Sequence, residues 1–265
     1  MRTLLVGDLH LKAQIILPMV ETKMKKLKCQ RVILLGDYMD AAEQATNLAL
    51  YMEELDYLLA WKRRQQARGI EVITLLGNHE APYLTFTPRS YSLQGAKGFI
   101  HVHRKLLKLG VQVAFQLGQY LVSHAGYTQD YKLRSWHLTP VTESTIKKIA
   151  WLDERTGRAR GGRYRLGSPI WADFSRELCR YPNLKYPKQI VGHTPQLQIK
   201  PVKKAGCECV GIDTLKVSPE KSRPYLKQKG NGEILLYDAG KLTPIALDWN
   251  RVAVKKQIAA KFEFG

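Results

Sequence analysis

Five short motifs in this chain carry acidic, amide and imidazole side chains, the groups from which metal centres are built. They are Asp8-x-His10, Gly36-Asp37-x-x-Asp40, Gly77-Asn78-His79-Glu80, Ser123-His124-Ala125-Gly126 and Gly192-His193-Thr194-Pro195. Each follows a short apolar run, at the point where a strand would stop. One such motif is a weak signal, because a lone histidine is more often a core or surface group. Five in order favour a shared metal site.

Phosphoester hydrolysis is the chemistry that such a set suits. It needs a nucleophilic hydroxide at neutral pH, neutralised phosphoryl oxygens and a proton for the departing oxygen. Two divalent ions ~3.5–4 Å apart meet the first two needs, and they require a carboxylate that can bridge them. Oxygen ligands mixed with imidazole favour Mn, Fe or Zn over Ca. The expected cofactors are therefore two divalent metal ions, with manganese first and iron or zinc as alternatives.

The order of elements in the first third of the chain would bring these motifs together. Apolar runs typical of buried strands lie at 2–7, 31–36 and 71–76. Stretches with helical spacing lie between them, at 17–27 and 43–67. The β-α-β-α-β order predicts right-handed crossovers and a parallel sheet, in which function gathers at the carboxyl ends of the strands. Asp8, Asp37 and Asn78 all fall at those ends.

After residue 110 the pattern changes to short alternating runs. They lie at 111–117, 119–123, 188–191, 207–212, 233–238 and 243–247, and they predict a second sheet packed on the first. The irregular, arginine-rich segment 127–187 is interpreted as an excursion over the catalytic face. No linker or repeat interrupts the chain, so one domain over 1–265 is expected. The tail from residue 254 is interpreted as a short terminal helix, or partly as an expression remnant.

Composition limits the partners and the compartment. The 265 residues are 45% apolar and 25% charged, as in ordinary globular proteins, and no apolar run is long enough to span a membrane. Four cysteines are too few for a disulfide framework, so a reducing cytoplasm is expected, with Cys207 and Cys209 as structural thiols. The net charge of +19 favours polyanions such as nucleic acid. A generally basic proteome or a solubility feature is the equally weighted alternative.

The motifs resemble those of the calcineurin-like metallophosphoesterase superfamily, over about residues 3–215. The resemblance is to its phosphoprotein phosphatase branch, in the bacterial and phage type that includes lambda-like phosphatases and symmetrical diadenosine tetraphosphatases. Glu80 stands where relatives of the recombination-nuclease branch carry aspartate, and Gly-His-Thr-Pro stands where they carry a second histidine. The resemblance implies an α/β fold, a four-layer α/β/β/α sandwich with two mixed sheets.

The resemblance also implies a role for each motif residue. Asp8 and His10 would hold the first metal, Asp37 would bridge, and Asn78, His124 and His193 would hold the second. His79 would be the general acid, and Asp40 would orient it and raise its pKa. A hydroxide bridging the metals would attack phosphorus in line, and no phosphoenzyme is implied.

One departure from the family pattern concerns substrate binding. The family continues from its second aspartate into Arg-Gly, but Ala41-Ala42 follows Asp40 here, and a planar bidentate donor has no close substitute. Candidate replacements are Arg89, Arg155, Arg158, Arg160, Arg163, Arg165 and Arg176. The alternative for the arginine run is a solvated loop. Tyr83 and Tyr127 are candidates for stacking on a base or ring, with core packing equally expected.

Three functions follow from these expectations. The first is a metal-dependent phosphomonoesterase of serine/threonine phosphatase type. The second is hydrolysis of a nucleotide or nucleic-acid phosphate, by a dinucleoside polyphosphatase or an RNA-end phosphatase or phosphodiesterase; the missing arginine and the basic charge favour it. The third is a non-catalytic binding scaffold, which the retained ligands, His79 and Asp40 disfavour.

Overall fold

Two five-stranded sheets dominate the part of the chain, residues 1–219 and 226–262, that the computed structural model describes. The strands are β1 Thr3–Val6, β2 Arg31–Leu34, β3 Glu71–Thr74, β4 Ala114–Leu117, β5 Tyr120–Ser123, β6 Lys188–Val191, β7 Pro201–Lys204, β8 Cys207–Gly211, β9 Val217–Pro219, β10 Leu226–Gln228, β11 Glu233–Asp238 and β12 Lys241–Ala246. The α-helices are α1 Ala13–Leu27, α2 Leu48–Ala67, α3 Ala81–Thr85, α4 Ala96–Leu109, α5 Ile146–Glu154 and α6 Val252–Lys261.

The first sheet has the order β12-β11-β1-β2-β3. Strands β1, β2 and β3 are parallel and joined by α1 and α2, while β11 and β12 pair antiparallel. The predicted β-α-β-α-β order is therefore confirmed. Asn47 caps the start of α2, because its side chain accepts a hydrogen bond from the amide of Leu50 at 3.1 Å.

Alternate residues of β1 face two different cores. Leu4 and Val6 belong to the larger core, which the first sheet shares with its helices. Leu5 lies in a second core between the two sheets, together with Val122 of β5 and Ile190 of β6. Because successive side chains of a strand point to opposite faces, a fully apolar strand is buried on both sides.

The second sheet has the order β4-β5-β6-β8-β7. Segment 127–187 covers its outer face, with Tyr127 and Tyr131 packed in one cluster and Phe174 and Leu178 in another. This fourth layer consists of short 3₁₀ turns, a π-helical turn at Phe174–Leu178 and α5. The predicted α/β class and four-layer arrangement with two mixed sheets are confirmed, with an irregular outermost layer. The assignment of runs 233–238 and 243–247 to the second sheet was wrong, because they form β11 and β12 of the first sheet, where β11 pairs with β1.

The sequence pattern predicted helix α6 but not helices α3 and α4. Helices α3 and α4 occupy a stretch for which no element was predicted. The predicted terminal helix is present as α6, and residues 263–265 of the tail lie outside the described part. The four cysteines are free. A search of the described helices finds none with the length and apolar character needed to cross a membrane. One domain over the whole chain stays a prediction.

Candidate metal centre

Five strands deliver the motif residues to one edge of the sandwich. The first sheet supplies Asp8 after β1, Asp37 after β2 and Asn78 after β3. The second sheet supplies His124 after β5 and His193 after β6. Because β1, β2 and β3 are parallel to one another, as are β5 and β6, the carboxyl ends within each sheet meet at the same edge.

The backbone turns sharply where the strands end. Four of the non-glycine motif residues adopt left-handed backbone, with φ of 42° at His10, 50° at Asp37, 59° at Asp40 and 60° at His193. Such conformations are uncommon outside glycine and recur at functional sites. The turns are held by main-chain hydrogen bonds, since the amides of Leu9 and His10 both donate to the Asp37 carbonyl, at 3.0 and 2.8 Å.

Glu80 ties two of these turns together from inside. Its fully buried carboxylate accepts hydrogen bonds from the amides of Asp37 and Gly77 on one oxygen, and of Tyr38 and Met39 on the other, at 2.8 to 3.1 Å. Gly77 itself leaves no room for a side chain, because a Cβ there would collide with the Asp37 carboxylate. Glu80 thus sets the position of the loop that carries Asp37.

Asp37 lies between two groups of donor atoms that could each hold a metal ion. One group is His10, Asp37 and His79, and the other is Asp37, His124 and His193. Asp37 Oδ2 is 3.7 Å from His10 Nε2, and its Oδ1 is 3.3 Å from His124 Nε2. The two carboxylate oxygens therefore face different groups, as a bridging ligand requires.

The other predicted ligands lie in the same cluster. Asn78 Oδ1 and His193 Nδ1 are 3.0 and 3.2 Å from His124 Nε2. Both oxygens of the buried Asp8 carboxylate accept a hydrogen bond from the His193 amide at 3.1 Å, and Asp8 Oδ2 is 3.9 Å from His10 Nε2. The structure therefore brings all six together.

The imidazole rings are oriented to offer a lone pair. His10 Nδ1 is 2.8 Å from the Asp40 carbonyl and His124 Nδ1 is 2.8 Å from the Leu35 carbonyl. A carbonyl only accepts, so Nδ1 carries the hydrogen in each ring and Nε2 is free to ligate, an arrangement typical of metal-binding histidines. Mixed oxygen and nitrogen donors in this orientation fit a pair of divalent transition-metal ions.

Electrostatics in the cluster also favour a bound cation. Burial and the neighbouring His79 lower the pKa of His10 to about 3, so its ring is neutral. Burial and the Asp213 carboxylate raise the pKa of Asp8 well above its usual value. Buried carboxylates crowded beside the neutral His10 imidazole are stabilised by positive charge brought from outside.

His79 and Asp40 form a hydrogen-bonded pair beside this cluster. His79 Nδ1 is 2.9 Å from Asp40 Oδ2, and Asp40 Oδ1 accepts hydrogen bonds from Tyr51 and Tyr83 at 2.8 and 2.5 Å. Burial acts to lower the pKa of His79, but Asp37 and the Asp40 hydrogen bond outweigh it and raise this pKa to about 9. His79 therefore holds a proton at neutral pH.

A cleft of about 650 Å³ opens above these residues, and Arg160 lies in its wall together with His10, Asp40, His79 and His193. Arg160 Nη2 donates to Thr194 Oγ1 at 2.6 Å, and its Nε is 3.3 Å from Asp173 Oδ2. Of the seven candidate arginines, all within the described residues, this is the one that lines the cleft.

None of the other candidate arginines lines the cleft. Arg89 pairs with Asp153, Arg155 stacks on Trp151, Arg163 pairs with Glu154, and Arg165 pairs with Asp130. Arg158 and Arg176 are exposed side chains outside the cleft wall.

Neither candidate tyrosine is available to a substrate. Tyr83 is fully buried beneath Asp40, and Tyr127 is fully buried with its hydroxyl 2.6 Å from His137 Nδ1. Both rings pack in the core, which was the alternative interpretation of the sequence.

Three residues of the cleft wall were not identified from the sequence. Tyr91 lies with its ring 4.5 Å from that of His79. Lys12 is buried and donates to the His10 carbonyl at 3.2 Å, and burial lowers its pKa to about 8. Asp213 follows β8, which runs parallel to β6. Its position just after a strand could therefore have identified it as a site residue from the sequence.

Comparisons with known proteins agree with this geometry. The family model described as calcineurin-like phosphoesterase matches residues 1–197, and the chain belongs to that family, whose members hydrolyse phosphoesters. No curated protein matches the sequence.

Solved structures of two phosphatases are similar to this chain at low sequence identity. A cold-active protein-tyrosine phosphatase of a psychrophilic Shewanella species is 17% identical with a TM-score of 0.59, covering 93% of this chain and 80% of its own. A protein serine/threonine phosphatase from Saccharomyces cerevisiae is 16% identical with a TM-score of 0.49, covering 93% and 79%. At such identity the first similarity supports the fold alone.

Proposed function

We propose that this chain is a metal-dependent phosphomonoesterase of serine/threonine phosphatase type. The observation that carries the proposal is the position of Asp37 between two donor groups, with the hydrogen-bonded His79–Asp40 pair at the same cleft. The pairing of a bridging carboxylate with a nearby proton donor suits hydrolysis of a phosphoester.

Each cluster residue has a proposed role in holding two divalent ions, with manganese first and iron or zinc as alternatives. Asp8 and His10 would hold the first ion, Asn78, His124 and His193 would hold the second, and Asp37 would contact both. When bound, the two ions activate water as a nucleophile and neutralise charge on the phosphoryl oxygens. Glu80 keeps Asp37 in place through the loop amides, so the bridging oxygen atoms are positioned before any ion arrives.

His79 is the proposed general acid. Its Nδ1 is held by Asp40, which leaves Nε2 to deliver a proton to the departing oxygen. Asp40 is itself fixed by the hydroxyls of Tyr51 and Tyr83, so the ring cannot turn without breaking hydrogen bonds in the core.

Arg160 is the proposed phosphate-binding residue in place of the arginine missing at Ala41. Both side chains line the same cleft. The guanidinium is held by Thr194 and Asp173 on one side, and its remaining N–H groups are free to donate to phosphoryl oxygens. The clamp thus comes from segment 127–187 instead of from the loop after β2.

A nucleotide or nucleic-acid phosphate is the second candidate substrate. Tyr91 and Trp171 add aromatic surface to the cleft, and Lys12 and Lys216 add positive charge. Base stacking and phosphate contacts use such groups. For either substrate we propose a cytoplasmic protein, in keeping with its free cysteines.

The test is hydrolysis of p-nitrophenyl phosphate and of its bis ester with Mn²⁺, repeated with His79→Asn. Loss of a general acid costs about 10²- to 10⁴-fold in rate when the leaving group needs a proton. For a phosphoserine peptide, whose serine alkoxide is a poor leaving group, kcat is therefore expected to fall by that factor while elemental analysis finds the metal retained, and p-nitrophenyl phosphate should be affected less because p-nitrophenolate leaves without a proton. The matched control is His101→Asn on the exposed face of α4, which should keep full activity. Unchanged kcat for the phosphoserine peptide in His79→Asn would rule out the general-acid role.

The preferred class of substrate is then found by comparing three substrates. A phosphoserine peptide, diadenosine tetraphosphate and a 3′-phosphorylated RNA are assayed at equal concentration, and kcat/KM is compared. A serine/threonine phosphatase prefers the peptide; preference for either nucleotide substrate would support the second candidate.

A further inference from the structure

A second cleft, of about 600 Å³, lies in segment 127–187. Its wall combines aromatic and basic side chains, among them Tyr131, Lys132, Arg134, Lys147, Lys148 and Trp151, and it shares no lining residue with the metal cleft. Nothing in the proposed phosphatase chemistry uses it. We call it the α5 groove, since four of its residues belong to α5.

Helix α5 separates the two clefts. Lys147, Lys148 and Trp151 line the α5 groove. Asp153 is buried on the side of the metal cleft, where it pairs with Arg89 and accepts from Trp171 Nε1 at 3.0 Å. A ligand in the groove would therefore lie against the back of the helix that supports the catalytic wall.

The α5 groove is positively charged. Lys132, Arg134, Lys147 and Lys148 are exposed, and none forms an ion pair with a carboxylate in the described part of the chain. Asp130 is the acidic residue of the groove wall, and both of its carboxylate oxygens accept hydrogen bonds from Arg165 Nη2, at 2.6 and 2.8 Å. The four cations therefore face solvent without internal compensation and attract anions.

The groove also presents an aromatic surface. Trp151 is 48% exposed although the neighbouring apolar residues Ile149 and Leu152 of the same helix are buried. The Arg155 guanidinium stacks on its ring at 3.7 Å, and Tyr131 meets it edge-on at 6.1 Å. These contacts hold the indole in place in spite of its exposure, so the ring forms a fixed platform and not a freely moving side chain.

We propose that the α5 groove binds a single strand of nucleic acid. A base stacks on Trp151 while Lys147 and Lys148 contact the flanking phosphates, the combination by which sequence-tolerant single-strand sites work. The chain's net charge of +19 brings polyanions to its surface. A phosphopeptide would use the cations but has no need of an exposed, clamped indole.

The test is fluorescence anisotropy of a labelled eight-nucleotide thymidine strand without terminal phosphates, bound to the metal-loaded full chain, with gel electrophoresis after each measurement to show that the strand is intact. Trp151→Ala should weaken binding roughly 5- to 150-fold, the range for losing one base–aromatic stack. Lys147→Ala/Lys148→Ala should weaken binding and reduce the slope of log affinity against log salt by about 1.4, as expected for two phosphate contacts to a single strand.

A matched control separates the groove from general charge. Lys203 and Lys204 are exposed on edge strand β7 and form no ion pair among the described residues. Lys203→Ala/Lys204→Ala removes the same charge elsewhere and should leave affinity within about twofold. Circular dichroism confirms that each variant is folded, and Mn²⁺-dependent hydrolysis of p-nitrophenyl phosphate should be unchanged in Lys147→Ala/Lys148→Ala.

Three results would overturn the proposal. Equal loss of affinity in the two lysine pairs would mean binding by overall charge. Unchanged affinity in a folded Trp151→Ala variant would exclude base stacking. Equal affinity for an abasic strand of the same length, or for a phosphoserine peptide of equal charge, would make the groove a general anion site.

Discussion

Replacing Arg160 tests how this site binds phosphate without the usual arginine. Arg160→Ala removes a guanidinium from the wall of the metal cleft. Hydrogen bonds to charged groups contribute about 1.5–3 kcal/mol each, and one such interaction lost in the transition state lowers kcat/KM roughly 10- to 150-fold. We expect a decrease in that range for p-nitrophenyl phosphate.

The fold should tolerate this change. The Arg160 side chain is 26% exposed, and its ion-pair partner Asp173 keeps other hydrogen bonds, from the amides of Ser175 and Arg176 at 3.1 and 2.9 Å. The free energy of unfolding should therefore fall by no more than about 1 kcal/mol. Activity loss and stability loss can thus be told apart by urea unfolding of the same preparation.

Two further variants sharpen the assay. Arg160→Lys keeps the charge but loses the planar fork, so it should recover part of the lost kcat/KM. Arg165→Ala removes an exposed arginine paired with Asp130, outside the cleft, and should change kcat/KM by less than about twofold. If Arg160→Ala behaves like Arg165→Ala, the guanidinium does not bind the phosphoryl group and our reasoning is wrong.

Three other predictions follow from buried groups and the metal cluster. Tyr83→Phe removes a 2.5 Å hydrogen bond to the buried Asp40 and should lower the free energy of unfolding by about 1.5–3 kcal/mol in urea titrations. EDTA should lower the Tm in calorimetry, because metal at 100 times its Kd stabilises the folded chain by about 2.7 kcal/mol. Burial lowers the pKa of Lys62 from 10.5 to about 8, so between these pH values the unfolded chain binds more protons. Native stability relative to Lys62→Met should therefore rise with pH from about 8 towards 10.

Each of these has an outcome that would contradict it. Tyr181 is 40% exposed, so equal destabilisation by Tyr181→Phe and Tyr83→Phe would show that the buried hydroxyl is unimportant. An identical Tm with and without EDTA, in protein shown beforehand to contain metal, would mean that bound metal does not stabilise the folded chain. A stability difference from Lys62→Met that is constant across pH 7–10 would mean that the lysine titrates normally.

The strands and the residues that follow them were predictable for a simple physical reason. A short apolar run is buried on both faces, as Leu4 to Val6 are, and the chain must leave the sheet directly afterwards. Polar residues such as Asp8 and Asp37 at that point therefore converge when strands run parallel. The local sequence pattern and the order of the strands both predict this convergence, so the positions of these polar residues could be inferred from the sequence.

The source of the phosphate-binding arginine was not predictable in this way. Seven arginines in an irregular segment and its neighbours have similar local surroundings, and what separates Arg160 is its contact with Thr194, 34 residues away. Tyr83 shows the same limit, since its place after a catalytic motif suits a substrate contact or core packing equally. The structure puts its hydroxyl on Asp40, 43 residues earlier in the chain. For both Arg160 and Tyr83, the position of the side chain depends on a partner far away in the sequence, which a local pattern does not reveal.

At the left-handed turns after the strands, the residues that the proposed catalysis needs also lower the stability of the fold. His10, Asp37, Asp40 and His193 each hold a backbone conformation that costs a side-chain-bearing residue roughly 1 kcal/mol, out of a total stability of about 5–15 kcal/mol. Glycine would relieve that strain but would remove a proposed ligand or the support of the general acid. Selection for heat resistance alone would therefore find easy gains at these four turns, and each gain would erode the metal centre.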